Sequence, residues 1–176
     1  MLSSKTWFKA LLTSLTIVVI AGVLFLPLPV LEVIKDNSAN QVLLIPLARE
    51  EGFSLEYVHS VQKCPVRENF VIISEDRIKL VSTTYQSLGV GLPFLPSEGQ
   101  LVNNQGTFEL TGLNRVFREI RLAVMPVTYQ GLVYKDQSYV LSDYFSAGSL
   151  VTIRVQSYSP GYLIWHKITA HKGGLL

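Results

Sequence analysis

The residues that could do acid–base chemistry lie in one stretch of this sequence, FSLEYVHSVQKCPVRENFVII, which begins at Phe53. The stretch carries His59, Ser60, Cys64 and Glu68. An imidazole beside a carboxylate can share a charge-assisted hydrogen bond with it, and the carboxylate favours the protonated ring. Such a pair can act as a structural bracket, as a contact for a ligand or partner, or as a catalytic acid or base.

A hairpin would bring His59 and Glu68 together. If residues 62–65 form the hairpin loop, Val61 pairs with Val66, and the antiparallel register then places His59 opposite Glu68. Because side chains alternate along a strand, the same face also carries a set of apolar and aromatic residues. We therefore predict that this face points into the core. Its other members are Phe53, Leu55, Tyr57, Phe70 and Ile72.

Neither Ser60 nor Cys64 gives a convincing nucleophile. Ser60 follows His59 directly, so strand alternation would turn it to the opposite face. Cys64 is the single cysteine of the sequence, which excludes an internal disulfide and a metal site built from several cysteines. A lone cysteine without an identifiable base is usually inert. We therefore predict that the protein is not an enzyme, and a hydrolase is the least favoured function.

A turn with the pattern Gly-x-Gly-x-Pro follows further along the chain, at Gly89, Gly91 and Pro93. Phosphate-binding loops need a third glycine, or Gly-Lys-Ser/Thr leading into a helix, and Pro96 makes a helix start doubtful here. One interpretation is a turn or bulge that needs positive φ angles. The other is a backbone nest that contacts a carboxylate or a partner.

Three arginines recur at a spacing of three residues, namely Arg115, Arg118 and Arg121. They are either solvated side chains or a clamp for an anion. His166 and His171 lie near the C-terminus without a recognisable metal-ligand spacing. We predict no metal and no cofactor.

The elements that must position these residues are short strands. Beyond residue 40, apolar or alternating runs are separated by Gly, Pro, Asn and Asp, which is typical of strands. We predict a mainly β domain at 41–170, an antiparallel β-sandwich or barrel, followed by a tail at 171–176. The predicted strands are Val42–Leu47, Phe53–Val61, Val66–Ile73, Arg77–Ser87, Thr107–Leu110, Phe117–Met125, Leu132–Tyr134, Leu150–Tyr158 and Tyr162–Ile168.

A segment without charge predicts one N-terminal transmembrane helix. No charged residue occurs from Ala10 to Leu31, and about 20 apolar residues suffice to span a bilayer. Lys5 and Lys9 precede this run, so the positive-inside bias places the N-terminus in the cytoplasm and the body outside. We assign 1–35 to the membrane anchor and 36–40 to a polar linker. A cleaved signal peptide is the alternative, but no small-x-small site closely follows the run.

The charge balance argues against nucleic acid as a partner. Lys5 and Lys9 account for the formal net charge of +2, so the remaining chain is neutral. Nucleic-acid binders obtain much of their affinity from basic faces that neutralise phosphates. We therefore expect protein or small-molecule partners at a membrane.

Three motifs follow each other at close spacing, namely His59-Ser60-Val61, Pro65-Val66-Arg67-Glu68 and Ser87-Leu88-Gly89-Val90-Gly91-Leu92-Pro93. With these motifs, the sequence resembles a bacterial and archaeal family known as domain of unknown function 1850. The resemblance covers chiefly residues 53–93. Cys64 stands where the family commonly has a small hydroxyl residue, and Val90 where alanine is common.

This resemblance implies a small envelope protein associated with tripartite ATP-independent periplasmic (TRAP) transporters of the TRAP-associated extracytoplasmic immunogenic class. It implies an accessory role in uptake, with a permease or solute receptor as partner, and no catalytic residues. The alternative is a binding module for a small anion or carboxylate, in a cavity closed by His59, Glu68 and the arginines. The family-matching positions are His59, Ser60, Glu68, Gly89, Gly91 and Pro93.

Overall fold

A computed structural model of the protein describes residues 4–36, 38–48, 51–87 and 99–173. The chain divides into two compact units. One comprises Met1–Pro29 together with Ser157–Leu176, and the other comprises Val30–Gln156.

The first unit contains helix α1, Ser4–Phe25, whose side chains from Trp7 onwards are almost all exposed. The segment Trp7–Phe25 has a mean hydropathy of 2.2. Hydroxyls within it donate to main-chain carbonyls three or four residues earlier, as Thr16 does to Leu12 at 2.8 Å, so they need no water. The prediction of one N-terminal helix long and apolar enough to span a membrane is confirmed.

The same unit contains helix α2, Pro160–Gly173, where a strand at Tyr162–Ile168 was predicted. That prediction is wrong. Proline is well suited to the first position of a helix, and Ser159 caps this one by accepting a hydrogen bond from the Tyr162 amide at 3.3 Å. The predicted tail therefore begins inside a helix that continues to Gly173.

The described strands form two antiparallel sheets. The four-stranded sheet has the order β2-β1-β11-β8, and the seven-stranded sheet has the order β10-β9-β3-β4-β5-β7-β6. In chain order the strands are β1 Leu28–Lys35, β2 Ser38–Pro46, β3 Gly52–Val58, β4 Pro65–Ser74, β5 Arg77–Tyr85, β6 Gln100–Asn104, β7 Thr107–Phe117, β8 Glu119–Ala123, β9 Gly131–Tyr134, β10 Gln137–Val140 and β11 Leu150–Tyr158.

One hydrophobic core takes side chains from both sheets. Phe53 and Phe70 stack with ring centroids 5.2 Å apart, and Phe117 meets Phe70 edge-on. Buried residues of the four-stranded sheet, such as Leu31 and Ile153, belong to the same core. The mainly β prediction is confirmed in its sandwich form, because the described strands make two open sheets instead of a closed barrel.

The N-terminal boundaries differ from those predicted. Helix α1 ends at Phe25, because Pro27 and Pro29 restrict the following backbone. The rest of the predicted anchor forms β1, in which Leu31 pairs with Ile45 of β2. The predicted linker at 36–40 is mostly structured, since β2 begins at residue 38.

Candidate functional site

The turn between β3 and β4 is organised by His59. Its amide donates to the Cys64 carbonyl at 2.8 Å, and its carbonyl accepts from the Lys63 amide at 2.9 Å. Its ring Nδ1 accepts hydrogen bonds from the amides of Val61 at 3.3 Å and Gln62 at 3.2 Å. An accepting nitrogen carries no proton, so the ring is held as the Nε2–H tautomer. His59 is therefore occupied in shaping the turn.

The predicted pairing of His59 with Glu68 is wrong. Leu55 lies opposite Glu68, and the last pair before the turn joins Val58 to Pro65. The loop is longer than the one assumed from the sequence, because His59 itself belongs to it. The shift along β3 is an even number of residues, so Glu68 stays on the predicted inward face.

Glu68 lies half-buried on that face, among core residues. The hydroxyl of Tyr57 donates to its Oε1 at 3.3 Å. Burial raises the pKa of the Glu68 carboxyl, while the Tyr57 hydrogen bond and the positive charge of Arg115 oppose this rise. Burial also raises the pKa of the Tyr57 hydroxyl, and the charge of Glu68 adds to that effect. The Tyr57 hydroxyl therefore keeps its proton and acts as a donor.

Thr83 completes a group of three polar side chains, which we call the Tyr57–Glu68–Thr83 cluster. Thr83 lies on β5 directly opposite Glu68, so both side chains share one face of the sheet. It is fully buried, and among the described residues its hydroxyl has no hydrogen-bond partner. A buried hydroxyl in this state costs about 1–3 kcal/mol. The cluster thus combines a carboxyl of raised pKa with an unused donor.

The three predicted arginines do not form one clamp. Arg115 lies on β7 opposite Leu80, and its charge acts on Glu68. Arg118 is exposed and lies between the end of β7 and the start of β8. Arg121 belongs to β8 in the other sheet, where it pairs with Glu119 at 2.8 Å. Only Arg115 is placed to influence the cluster.

The remaining predicted positions are partly outside the described residues. Gly89, Gly91 and Pro93 all lie in the segment 88–98, which is outside the described residues. Ser60 lies exposed in the turn after β3 has ended, so strand alternation does not decide its direction. Ser87, the first residue of the glycine motif, donates to the Gln62 side chain at 3.2 Å. This bond joins the start of that motif to the turn that His59 organises.

Sequence reasoning missed a polar network on the opposite, outward face of the same sheet. Ser54 donates to Asn69 at 2.7 Å, and Asn69 donates to Ser82 at 2.9 Å. Arg67 donates to Ser54 at 3.2 Å and pairs with Glu56 at 3.1 Å. The alternation of polar residues along three adjacent strands was the signal that could have found it.

Arg67 also lines two shallow cavities on this sheet. One, of about 350 Å³, is lined by Glu56, Thr84 and Tyr129 among others. The second, of about 280 Å³, includes Asn69 and Lys135 in its lining. Both are open and half-exposed, so they suit a surface contact better than an enclosed ligand.

Within the described parts of the chain, no three His, Cys, Asp or Glu side chains come together as metal ligands do. Cys64 is a buried free thiol in the turn. His166 lies on α2, with its ring 6.0 Å from that of Tyr162.

A family model described as domain of unknown function (DUF1850) matches residues 53–141, half of the chain. The match contains the Tyr57–Glu68–Thr83 cluster, the outward polar network and the three arginines. Comparisons with curated proteins and with solved structures give no match.

Proposed function

The chain belongs to the DUF1850 family, and we propose that this member is a membrane-anchored accessory protein that works through contacts with a membrane neighbour. The observation that carries this proposal is helix α1. Its apolar side chains are exposed along its length, and only Leu26 and Pro27 separate it from β1. Such a short connection favours a partner located in or at the same membrane.

The body of the protein is proposed to lie outside the cytoplasm. Lys5 and Lys9 precede the apolar segment, and cytoplasmic flanks are rich in such residues. The proposal would place the domain where transporters meet their solute receptors.

The proposed partner is a TRAP-type permease or its solute receptor. This part of the proposal is supported by the resemblance of the His59-Ser60-Val61 and Pro65-Val66-Arg67-Glu68 motifs to that transporter-associated family. The hydrogen bond between Ser87 and Gln62 adds a physical reason, because it joins the start of the third family motif to the turn that connects the first two.

Purification of the full chain from native membranes in mild detergent tests this partner. We expect permease or receptor subunits to be recovered with it. Val61 in the turn is 68% exposed, so Val61→Arg should lower that recovery without unfolding the protein. Ile73→Arg is the matched control, because Ile73 is 46% exposed at the other end of β4.

Two outcomes would refute the protein contact. One is the absence of any transporter component from the purified material. The other is equal loss of the partner with Val61→Arg and Ile73→Arg, which would show that the turn has no special part in binding.

A second candidate is a binding module for a small carboxylate, favoured by the unpartnered Thr83 hydroxyl beside Glu68. Once Glu68 is protonated, it and Thr83 supply donors, and Arg115 supplies positive charge. We expect acetate or succinate to bind more tightly as the pH falls through the Glu68 pKa.

Calorimetric titration with acetate and succinate checks this candidate. Thr83→Val should abolish binding, whereas Thr84→Val should leave it intact, because Thr84 points to the opposite face. The small-carboxylate candidate is eliminated if the titrations give no heat of binding at any pH. It is also eliminated if Thr83→Val and Thr84→Val change the binding equally.

The protein is also proposed not to be an enzyme. The Nδ1 atom of His59 already accepts two backbone hydrogen bonds, and Cys64 is buried. This arrangement does not suit His59 as the base that activates Cys64 as a nucleophile. Hydrolysis of ester, amide or phosphoester substrates that disappears in Glu68→Gln would contradict this.

A further inference from the structure

Helix α2 exposes large apolar side chains that nothing in its own unit covers, as far as the described residues show. Ile164 and Ile168 are each 53% exposed, and Trp165 is 58% exposed. At about 100° per residue, these three side chains form one continuous sector of the helix. Leu163 and His166 lie on another side and are half-buried. The exposed sector is therefore a second apolar side, separate from the one used in packing.

The start of α2 lies beside the end of α1. A Cβ at Gly161 would be 3.4 Å from the Leu24 carbonyl, and both helices belong to the same compact unit. Leu24 is in the last turn of the apolar segment that is long enough to span a membrane. The exposed sector of α2 thus begins beside the C-terminal end of that segment.

Aromatic rings cluster at this same place. Tyr158 and Tyr162 stack with centroids 4.8 Å apart, and the Trp165 ring lies 6.0 Å from that of Tyr162. Tyr and Trp are enriched at membrane interfaces, because each joins an apolar ring to a polar group.

The polar groups of α2 also suit a lipid surface. Residues 160–173 contain no acidic residue, and Lys167 is exposed on the helix, where an anionic lipid surface would attract its charge. The Thr169 hydroxyl donates to the Trp165 and His166 carbonyls at 3.0 Å. It is therefore satisfied within the helix, as the hydroxyls of α1 are.

We propose that α2 is a second membrane contact, lying in the boundary between lipid headgroups and acyl chains with Ile164, Trp165 and Ile168 facing the lipid. The helix has 14 residues, which is too short to span a bilayer, and its exposed Lys167 favours the headgroup region. This inference rests on the membrane anchoring by α1.

The two tryptophans of the chain, Trp7 and Trp165, make a direct test. Trp7→Phe leaves Trp165 as the single reporter in the full chain, reconstituted in vesicles of equal parts phosphatidylcholine and phosphatidylglycerol. We expect blue-shifted emission, strong quenching by lipids brominated near the headgroup, and protection from aqueous acrylamide. In the same background, Ile164→Ser with Ile168→Ser should shift the emission to longer wavelength and raise acrylamide quenching several-fold.

The reciprocal variant, Trp165→Phe, separates the two claims through Trp7. Protected Trp7 with water-exposed Trp165 would overturn the inference and leave the anchor intact. Water exposure at both positions would overturn the anchor as well. Trp165 protected in native membranes but exposed in pure lipid vesicles would identify a protein as the occupant, and would also overturn the inference.

Discussion

The Tyr57 hydroxyl donates a hydrogen bond to Oε1 of Glu68 over 3.3 Å, on the face of the seven-stranded sheet that points into the core. This bond is the main polar support of a carboxyl whose pKa burial raises. The charge of Arg115 is a weaker influence in the same direction as the hydrogen bond. The cluster is therefore a balance between desolvation and a small number of polar contacts.

Glu68 should make the protein less stable as the pH rises. Its pKa is raised on folding, so the folded state holds the proton more tightly than the unfolded state does. Its contribution is thus fully present below the ordinary carboxyl pKa of 4.5 and is lost as the pH rises through the folded pKa. We expect the unfolding free energy of Glu68→Gln, relative to the parent, to increase across that window in denaturant titrations. A difference independent of pH would contradict this.

Thr83→Val should stabilise the protein if no ligand occupies the cluster. The substitution removes a buried hydroxyl without a partner among the described residues, and the gain is about 1–3 kcal/mol. Thr152→Val is the matched control, because Thr152 is also buried but donates to Asp36 at 2.8 Å. That variant should lose about 1 kcal/mol. Urea denaturation at one pH measures the change in unfolding free energy of each variant. Changes of the same sign in the two variants would contradict the claim that the Thr83 hydroxyl has no partner among the described residues.

Arg154→Leu should be the most destabilising single change among the ion pairs. Arg154 donates to Glu32 at 2.6 Å, and the Glu32 side chain is only 5% exposed. Loss of one ion-pair partner from a buried carboxylate costs up to about 3–5 kcal/mol. Arg121→Leu breaks the exposed pair with Glu119 and should cost at most about 1 kcal/mol. Thermal and urea unfolding compare the two, and similar losses would show that Glu32 is stabilised mainly by other contacts.

His59→Ala should loosen the turn between β3 and β4. It removes the Nδ1 acceptor for two amides, at a cost of about 1 kcal/mol. His59→Asn should recover part of this loss, because a short side-chain oxygen can accept from the same amides. Hydrogen exchange at Val61 and Gln62 measures the effect directly. Unchanged exchange in the alanine variant would remove His59 from its structural role.

The periodicity of the sequence determined the faces of the hairpin but could not determine its register. Alternation of apolar residues correctly placed Phe53, Phe70 and Glu68 on the inward face. Register depends on where the loop begins, and His59 joins the loop through hydrogen bonds from its own ring. Hydrophobic periodicity does not reveal a side-chain acceptor of this kind, so it cannot show that the loop begins at His59. The predicted His59–Glu68 pairing is wrong for this reason.

Two other errors have similar local causes. The apolar residues of β1 directly follow those of α1, so composition alone predicts one continuous membrane anchor. Pro27 and Pro29 mark the change from helix to strand. Helix α2 is apolar on two sides, so its composition wrongly predicts a strand, although Ser159 and Pro160 are typical of a helix start. The unpartnered Thr83 could not be predicted, because it depends on which atoms surround one side chain.

Strands β1 and β11 are neighbours in the four-stranded sheet although they lie far apart in sequence. Glu32 and Arg154, which are 122 positions apart, form an ion pair between them. Contacts of such long sequence separation form late, because a large loop must close first. The four-stranded sheet therefore cannot be completed until the C-terminal part of the chain has been synthesised. During that interval the nascent chain exposes the apolar face of its other sheet, which makes this stage of folding prone to aggregation.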